Sequence, residues 1–105
     1  MARISVVMIV KNEAAVLGRC LDSVQEADEI IICDTGSTDG TLEIARRYTE
    51  KVFTDYVWED HFAKARNHAL AKATGDWVLS IDADEFLTCP FSVVREAASR
   101  AFMAV

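Results

Sequence analysis

The chain has 105 residues, half of them hydrophobic (51%), with four glycines and one proline, which is a globular composition sized for a single domain over 1–105. Seventeen acidic residues against eleven basic ones leave a net charge of −6. That balance argues against general nucleic-acid binding and against docking on an anionic membrane surface, since both depend on Lys and Arg meeting phosphates.

In chain order, Ile4–Val10 (ISVVMIV) is β-branched and continuously apolar, the pattern of a strand buried on both faces. Glu13–Gln25 follows with Ala14, Leu17, Leu21 and Val24 at helical spacing. Glu29–Cys33 (EIIIC) is a second buried strand, and Asp34–Gly40 (DTGSTDG) is a loop dense in turn formers. Thr41–Thr49 is a short helix with Leu42, Ala45 and Tyr48 on one side, and Lys51–Thr54 is a short third strand. An aromatic, acidic loop at Tyr56–Asp60 leads into a helix at His61–Ala73, whose inner stripe is Phe62, Ala65, Ala69 and Leu70. Gly75 is placed to cap its end. Trp77–Ile81 is the fourth strand, Asp82–Pro90 a loop and Phe91–Met103 a last helix. Strands alternating with helices predict an α/β fold of the Rossmann-like kind, a mostly parallel sheet with helices on both faces and right-handed crossovers.

Cys20, Cys33 and Cys89 are odd in number and form no CxxC pair. That usage reads as reduced thiols in the cytoplasm and argues against a zinc site. The Ile4–Val10 run is too short to span a membrane and lacks a signal-peptide cleavage pattern. A peripheral membrane role for a longer parent protein stays open.

In open α/β sheets ligands bind beyond the carboxyl ends of the strands. Lys11-Asn12-Glu13, Asp34 to Asp39, and Asp82-Ala83-Asp84-Glu85 all fall there. Three carboxylates within four residues suit a hard cation such as Mg²⁺ or Mn²⁺; a solvated acidic turn explains them as well. Capping of the next helix accounts for Ser37 to Gly40 but leaves Asp34, whose carboxylate stands at a strand tip, for a ligand. Arg66 is placed to pair a phosphate or to form an ordinary surface salt bridge. His61 and His68 lack a third ligand at helical spacing. Phe53, Tyr56 and Trp58 suit stacking on a base, although packing is the commoner use of such residues.

Taken together, VVMIVKNE, DEIIICDTGSTDGT, FAKARNHAL and ATGDWVLSIDADEF resemble the family 2 glycosyltransferases of the GT-A fold. The likeness runs from Ile4 to about Leu87. It is similar in flavour to bacterial lipopolysaccharide-core transferases and to relatives that glycosylate peptides, which would place a parent enzyme in cell-envelope polysaccharide biosynthesis. The resemblance implies transfer of a sugar from a nucleoside-diphosphate donor, usually a UDP-sugar, with inversion and with Mg²⁺ or Mn²⁺. By position it implies that Val10 and Glu13 line the nucleoside pocket and that Asp34 holds the base. Arg66 would approach the base or diphosphate, Asp82 and Ala83 would contact the donor, and Asp84 would ligate the metal. Thr35 stands where many members have a second Asp, which makes uracil recognition less certain.

Family members run well beyond this length, and their later half carries the acceptor site and the catalytic base. No base is expected before Val105. The chain is therefore expected to be a truncated donor-binding part that does not transfer sugar by itself. Its sheet is expected to leave a strand edge or helix face uncovered, favouring self-association there or through the apolar tail Ala101–Val105. Two rivals remain: a non-catalytic nucleotide-sugar-binding or assembly domain, and a nucleotidyltransferase, whose Gly- and Arg-rich phosphate loop Lys11-Asn12-Glu13 does not supply.

Overall fold

The computed structural model describes residues 3–54 and 62–104, with side chains to residue 98 in the last helix. Tyr56, Trp58 and His61, the side chain of Phe62, and the tail side chains from Ala101 on lie outside the described residues. Eight elements alternate: β1 (Ile4–Val10), α1 (Ala14–Ser23), β2 (Glu29–Asp34), α2 (Thr41–Tyr48), β3 (Val52–Phe53), α3 (Phe62–Leu70), β4 (Trp77–Ser80) and α4 (Phe91–Ala104). The four strands form one parallel sheet in the order β3-β2-β1-β4. β1 is central, its Ser5 to Val10 pairing Glu29 to Asp34 in register. No helix among the described residues is long and apolar enough to cross a membrane.

Strand side chains alternate between faces, and both faces of β1 and β2 are covered. Val6, Met8, Val10 and Ile32 join Leu17, Leu21 and Ala45 in the larger core, packed by α1, α2 and α4. Val7, Ile31 and Cys33 meet Ala69 of α3 on the opposite face. This explains the unbroken apolar runs of the two inner strands. The buried side of α1 is Leu17, Cys20 and Leu21, close to the expected stripe. In α2 the buried positions are Thr41 and Ala45. Arg95 clamps α4 to the turn before β2, donating to Asp28 Oδ2 at 2.8 Å and to the Glu26 carbonyl at 2.6 Å. β4 is an edge strand with one face open: Val78 is 42% exposed, while Trp77 and Leu79 pack inward.

The amino-terminal end of the sheet is tied by one carboxylate. Glu29 Oε1 accepts from Ser5 Oγ at 2.7 Å and from the Thr74 amide at 2.9 Å. Oε2 accepts from Thr74 Oγ1 at 2.9 Å and pairs with Lys51 Nζ. Burial alone would raise this carboxyl's pKa, but hydrogen bonds from Lys51, Thr74 and Ser5 outweigh it and lower the pKa from 4.5 to about 2.

The expected capping role of Gly75 is corrected here. α3 ends at Leu70, and Gly36 is the one described glycine with a positive φ. Gly75 instead lies against β1: a Cβ there would sit 2.5 Å from Ser5 Oγ and 2.9 Å from the Arg3 carbonyl oxygen. Its own amide donates to Ser5 Oγ at 2.9 Å. Close approach, not helix termination, is what requires the glycine.

Candidate functional site

Successive strands step outward from β1 through β2 to β3, and the chain then crosses to the other side of β1 to lay down β4. The helices change face at the same point. This reversal puts a topological switch point at the carboxyl ends of β1 and β4, where open parallel sheets form ligand crevices. Three loops meet this edge: 11–13 after β1, 35–40 after β2 and 81–90 after β4.

Asp34 ends β2 and is 3% exposed. Its Oδ1 accepts from the amides of Gly36 and Ser37, both at 2.8 Å, so the carboxylate organises its own loop. Loop geometry thus uses one of its oxygens, a role sequence reasoning did not give it. Oδ2 is buried and has no hydrogen-bond partner among the described residues. A buried acceptor left unmade is costly, so this oxygen marks a place where an incoming N–H or O–H donor gains most. Gly36, at φ 127°, turns the chain immediately beyond it.

The sequence reading gives Ser37, Thr38 and Asp39 to capping of α2. The structure sends much of that bonding across to the first loop instead. The Asn12 amide donates to Ser37 Oγ at 2.9 Å, and the Thr38 amide donates to Asn12 Oδ1 at 2.7 Å. Asp39 is shared: Oδ1 accepts from the Thr41 amide and hydroxyl, and Oδ2 accepts from the Ala14 amide at 3.3 Å. The Thr41 hydroxyl on Asp39 holds that carboxyl below the usual range. Thr41 Oγ1 accepts from the Glu13 amide at 2.9 Å, and α2's own cap residue, Gly40, makes no side-chain cap bond. Sequence reasoning places Asn12 at this edge without a role, and it misses Thr41 altogether. The local signal for Asn12 was its residue type, since Asn tolerates the left-handed φ of 54° found there.

After β4 the chain makes a tight turn. Glu85 Oε1 accepts from the Asp82 amide at 2.9 Å, and the Glu85 amide donates to the Asp82 carbonyl at 2.9 Å. Ala83 is 4% exposed and packs in the core, which throws Asp82 and Asp84 out to solvent on either side. The turn is pinned to α1: the Cys20 thiol donates to the Asp82 carbonyl at 3.6 Å, and the Leu87 amide donates to Ser23 Oγ at 3.0 Å. Arg19 also lies 4.1 Å over the Phe86 ring. Burial, then the charges of Glu85, Asp82 and Asp84, push the Cys20 thiol up to about 11, so it stays protonated at neutral pH.

Of the other residues singled out, Val10 has its side chain in the core, and its carbonyl accepts from the Thr35 amide at 3.0 Å. What Val10 offers the edge is backbone. Glu13 is half-buried at the start of α1, where its carbonyl accepts from Val16 and Leu17. Arg66 is exposed on α3, on the face of the sheet opposite α1. Thr35, standing where the second acid was looked for, donates its hydroxyl to the Val10 carbonyl at 3.3 Å. An open groove of about 300 Å³ lies at the far end of the sheet beside Glu29, Tyr48 and Lys51, away from these loops.

Among the described residues no three His, Cys, Asp or Glu side chains converge to hold a metal ion unaided. Exposed Asp82 and Asp84 nevertheless fit Mg²⁺ or Mn²⁺ chemistry. Such ions are commonly held by one or two carboxylates, with ligand phosphates and water completing the shell.

Residues 5–89 match the family model described as Glycosyl transferase family 2. The chain belongs to this family. A TPR repeat-containing protein of Synechococcus elongatus is 53% identical over 89 residues, covering 83% of this chain and 22% of that protein. The lipopolysaccharide core biosynthesis glycosyltransferase LpsC of Rhizobium meliloti is 36% identical over 88 residues, covering 80% of this chain and 32% of its own length. The crystal structure of glucosyl-3-phosphoglycerate synthase from Mycobacterium tuberculosis with Mg²⁺ and UDP superposes with a TM-score of 0.73 at 30% identity. That match covers 89% of this chain and 37% of the synthase chain. The family 2 chain therefore has the GT-A nucleotide-sugar transferase fold and spans 22% to 37% of the length of these relatives.

Proposed function

We propose that this family 2 chain is the donor-binding part of an inverting, metal-assisted glycosyltransferase that takes a UDP-sugar. The observation that carries the proposal is the buried, unpartnered Asp34 Oδ2 at the end of β2, beside the switch point and on the same sheet edge as Asp82 and Asp84. Asp34 Oδ1 is already occupied by two amides, so the carboxylate has one oxygen left for a base. The single imide N–H of uracil suits one oxygen, whereas guanine presents two adjacent donors that a carboxylate would meet with both. The oxygen is buried, so a base reaches it only when its surroundings yield.

Val10 backbone and Glu13 border the nucleoside, and Arg66 approaches the base or the diphosphate in this reading. Asp84 holds Mg²⁺ or Mn²⁺ beside Asp82 and Ala83. The bound cation supplies electrostatic stabilisation to the departing diphosphate. The 105-residue chain binds donor without transferring sugar, the base being supplied by further sequence. Cys20, Cys33 and Cys89 form no disulfide, and Cys89 is exposed, which supports a cytoplasmic setting. The outer edge of β4, unpaired among the described residues, and its exposed Val78 support self-association there; sedimentation as a monomer at high concentration would remove that part.

Calorimetric titration of UDP in Mn²⁺ and in EDTA tests the core of the proposal, with Asp84→Ala alongside. Metal-dependent binding that is lost in the variant is the expected result. Binding indifferent to EDTA and to the variant would favour a non-catalytic nucleotide-sugar-binding or assembly domain. No binding by the folded chain would overturn the donor-site reading.

A further inference from the structure

We infer that Asn12 is a positioning residue for the donor site, latching the loop that carries Asp34's contacts onto the end of β1. The inference deepens the nucleotide-binding reading and rests on it.

Three observations carry it. Asn12 has a φ of 54°, the one described non-glycine residue in the left-handed region. Most side chains resist that conformation, and Asn resists it least. Its side chain and its amide both cross to the neighbouring loop: Oδ1 accepts from the Thr38 amide at 2.7 Å and the Thr38 hydroxyl at 3.4 Å, and the Asn12 amide donates to Ser37 Oγ at 2.9 Å. Ser37 is also the residue whose amide reaches Asp34 Oδ1. The segment from Gly36 to Thr38 is thus held from inside by Asp34 and from outside by Asn12.

Asn12 and Thr38 are both exposed, and solvent-exposed hydrogen bonds contribute little to folding. The core beneath is closed by α1 and α2 without them. A strained backbone that yields little stability is spent on geometry. The geometry it fixes is that of the Gly36–Thr38 segment, whose Gly36 and Ser37 amides hold the Asp34 carboxylate through Oδ1 and so set where Oδ2 lies. When the latch is released, Asp34 keeps its chemistry but the loop around its open oxygen samples more positions, so ligand ordering costs more.

The test compares Asn12→Gly, which keeps the φ but removes the acceptor, with Asn12→Asp, which keeps both acceptor and φ tolerance. Two readouts are taken: hydrogen exchange at the Thr38 amide without ligand, and UDP affinity with Mn²⁺. Asn12→Gly is expected to speed Thr38 exchange and weaken UDP about tenfold, the equivalent of about one hydrogen bond. Its thermal midpoint should stay near that of the parent chain. Asn12→Asp is expected to restore Thr38 protection and part of the affinity. If the parent chain binds UDP and Asn12→Gly binds it equally, the latch is refuted and the donor reading stands. If the parent chain fails to bind UDP while Thr38 remains protected through Asn12, the donor reading falls and the positioning role falls with it. A fall in affinity accompanied by a collapse of the thermal midpoint in both variants would make Asn12 a folding residue and overturn the proposal.

Discussion

Replacing Glu29 by glutamine isolates the anchor at the amino-terminal end of the sheet. The carboxyl titrates at about 2 in the folded chain against 4.5 ordinarily, which corresponds to about 3 kcal/mol. Its side chain is buried, but Lys51 is 48% exposed, and solvent screening of that partner brings the net to about 2 kcal/mol. The folded pKa is depressed, so this stability is fully present above pH 4.5 and is lost as the pH falls toward 2. Glutamine keeps an acceptor for Ser5 and the Thr74 amide but turns an NH₂ toward the Lys51 ammonium and the Thr74 hydroxyl. At neutral pH the variant should therefore be less stable by about 2 kcal/mol, the loss of charge-assisted hydrogen bonds to a carboxylate whose Lys51 partner is half-exposed. Urea denaturation followed by circular dichroism at neutral pH and near pH 2.5 measures both ends of the window. The deficit should shrink on acidification, because below pH 4.5 the unfolded carboxyl takes up a proton that folding must then release. Equal stability at neutral pH, or a deficit unchanged on acidification, would refute the account of Glu29.

Gly75→Ala should destabilise by about 1–3 kcal/mol, since its Cβ would fall 2.5 Å from Ser5 Oγ with backbone atoms at 2.9 and 3.0 Å; thermal unfolding measures the loss, and an unshifted midpoint would show that the start of β1 yields. Asp34→Asn can keep an acceptor for the Gly36 and Ser37 amides while replacing the open oxygen by a donor. It should retain the fold and weaken UDP at least tenfold in calorimetry, as a donor-to-donor mismatch of about 1–3 kcal/mol requires; unchanged affinity would move the base elsewhere.

The element order was legible because its signals were strong. ISVVMIV and EIIIC are apolar at consecutive positions, a pattern that a strand covered on both faces satisfies and a half-exposed one does not. WVLSI looked alike but belongs to an edge strand, where Val78 and Ser80 face out. Burial of its neighbour depends on chain order in space, which a local window does not contain. The site edge was legible for the same reason as the fold: once the strands are known to be parallel, Asp34 and Asp82 must share an end. What stayed hidden was the division of labour within each loop. Nothing local to DTGSTDG says that Ser37 bonds to Asn12, twenty-five residues away, or that Glu85 folds back on Asp82. Gly75 misled because a glycine after a helical stripe is usually a cap, and the steric demand of Ser5 lies seventy residues off.

The lacing between the loops after β1 and β2 also has a mechanical reading. Five side-chain hydrogen bonds join Asn12, Glu13 and Ala14 to Ser37, Thr38, Asp39 and Thr41, and Tyr48 of α2 donates to Asp22 of α1 at 2.7 Å. α1 and α2 are therefore coupled at both of their ends and should tilt as one plate against the sheet. The turn bearing Asp82 and Asp84 is fastened to that same plate through Cys20 and Ser23. A tilt that moved the loop beside Asp34 would carry the acidic turn with it. The Asp34 loop and the exposed carboxylates of Asp82 and Asp84 would then shift as one body, while α3 packs on the opposite face.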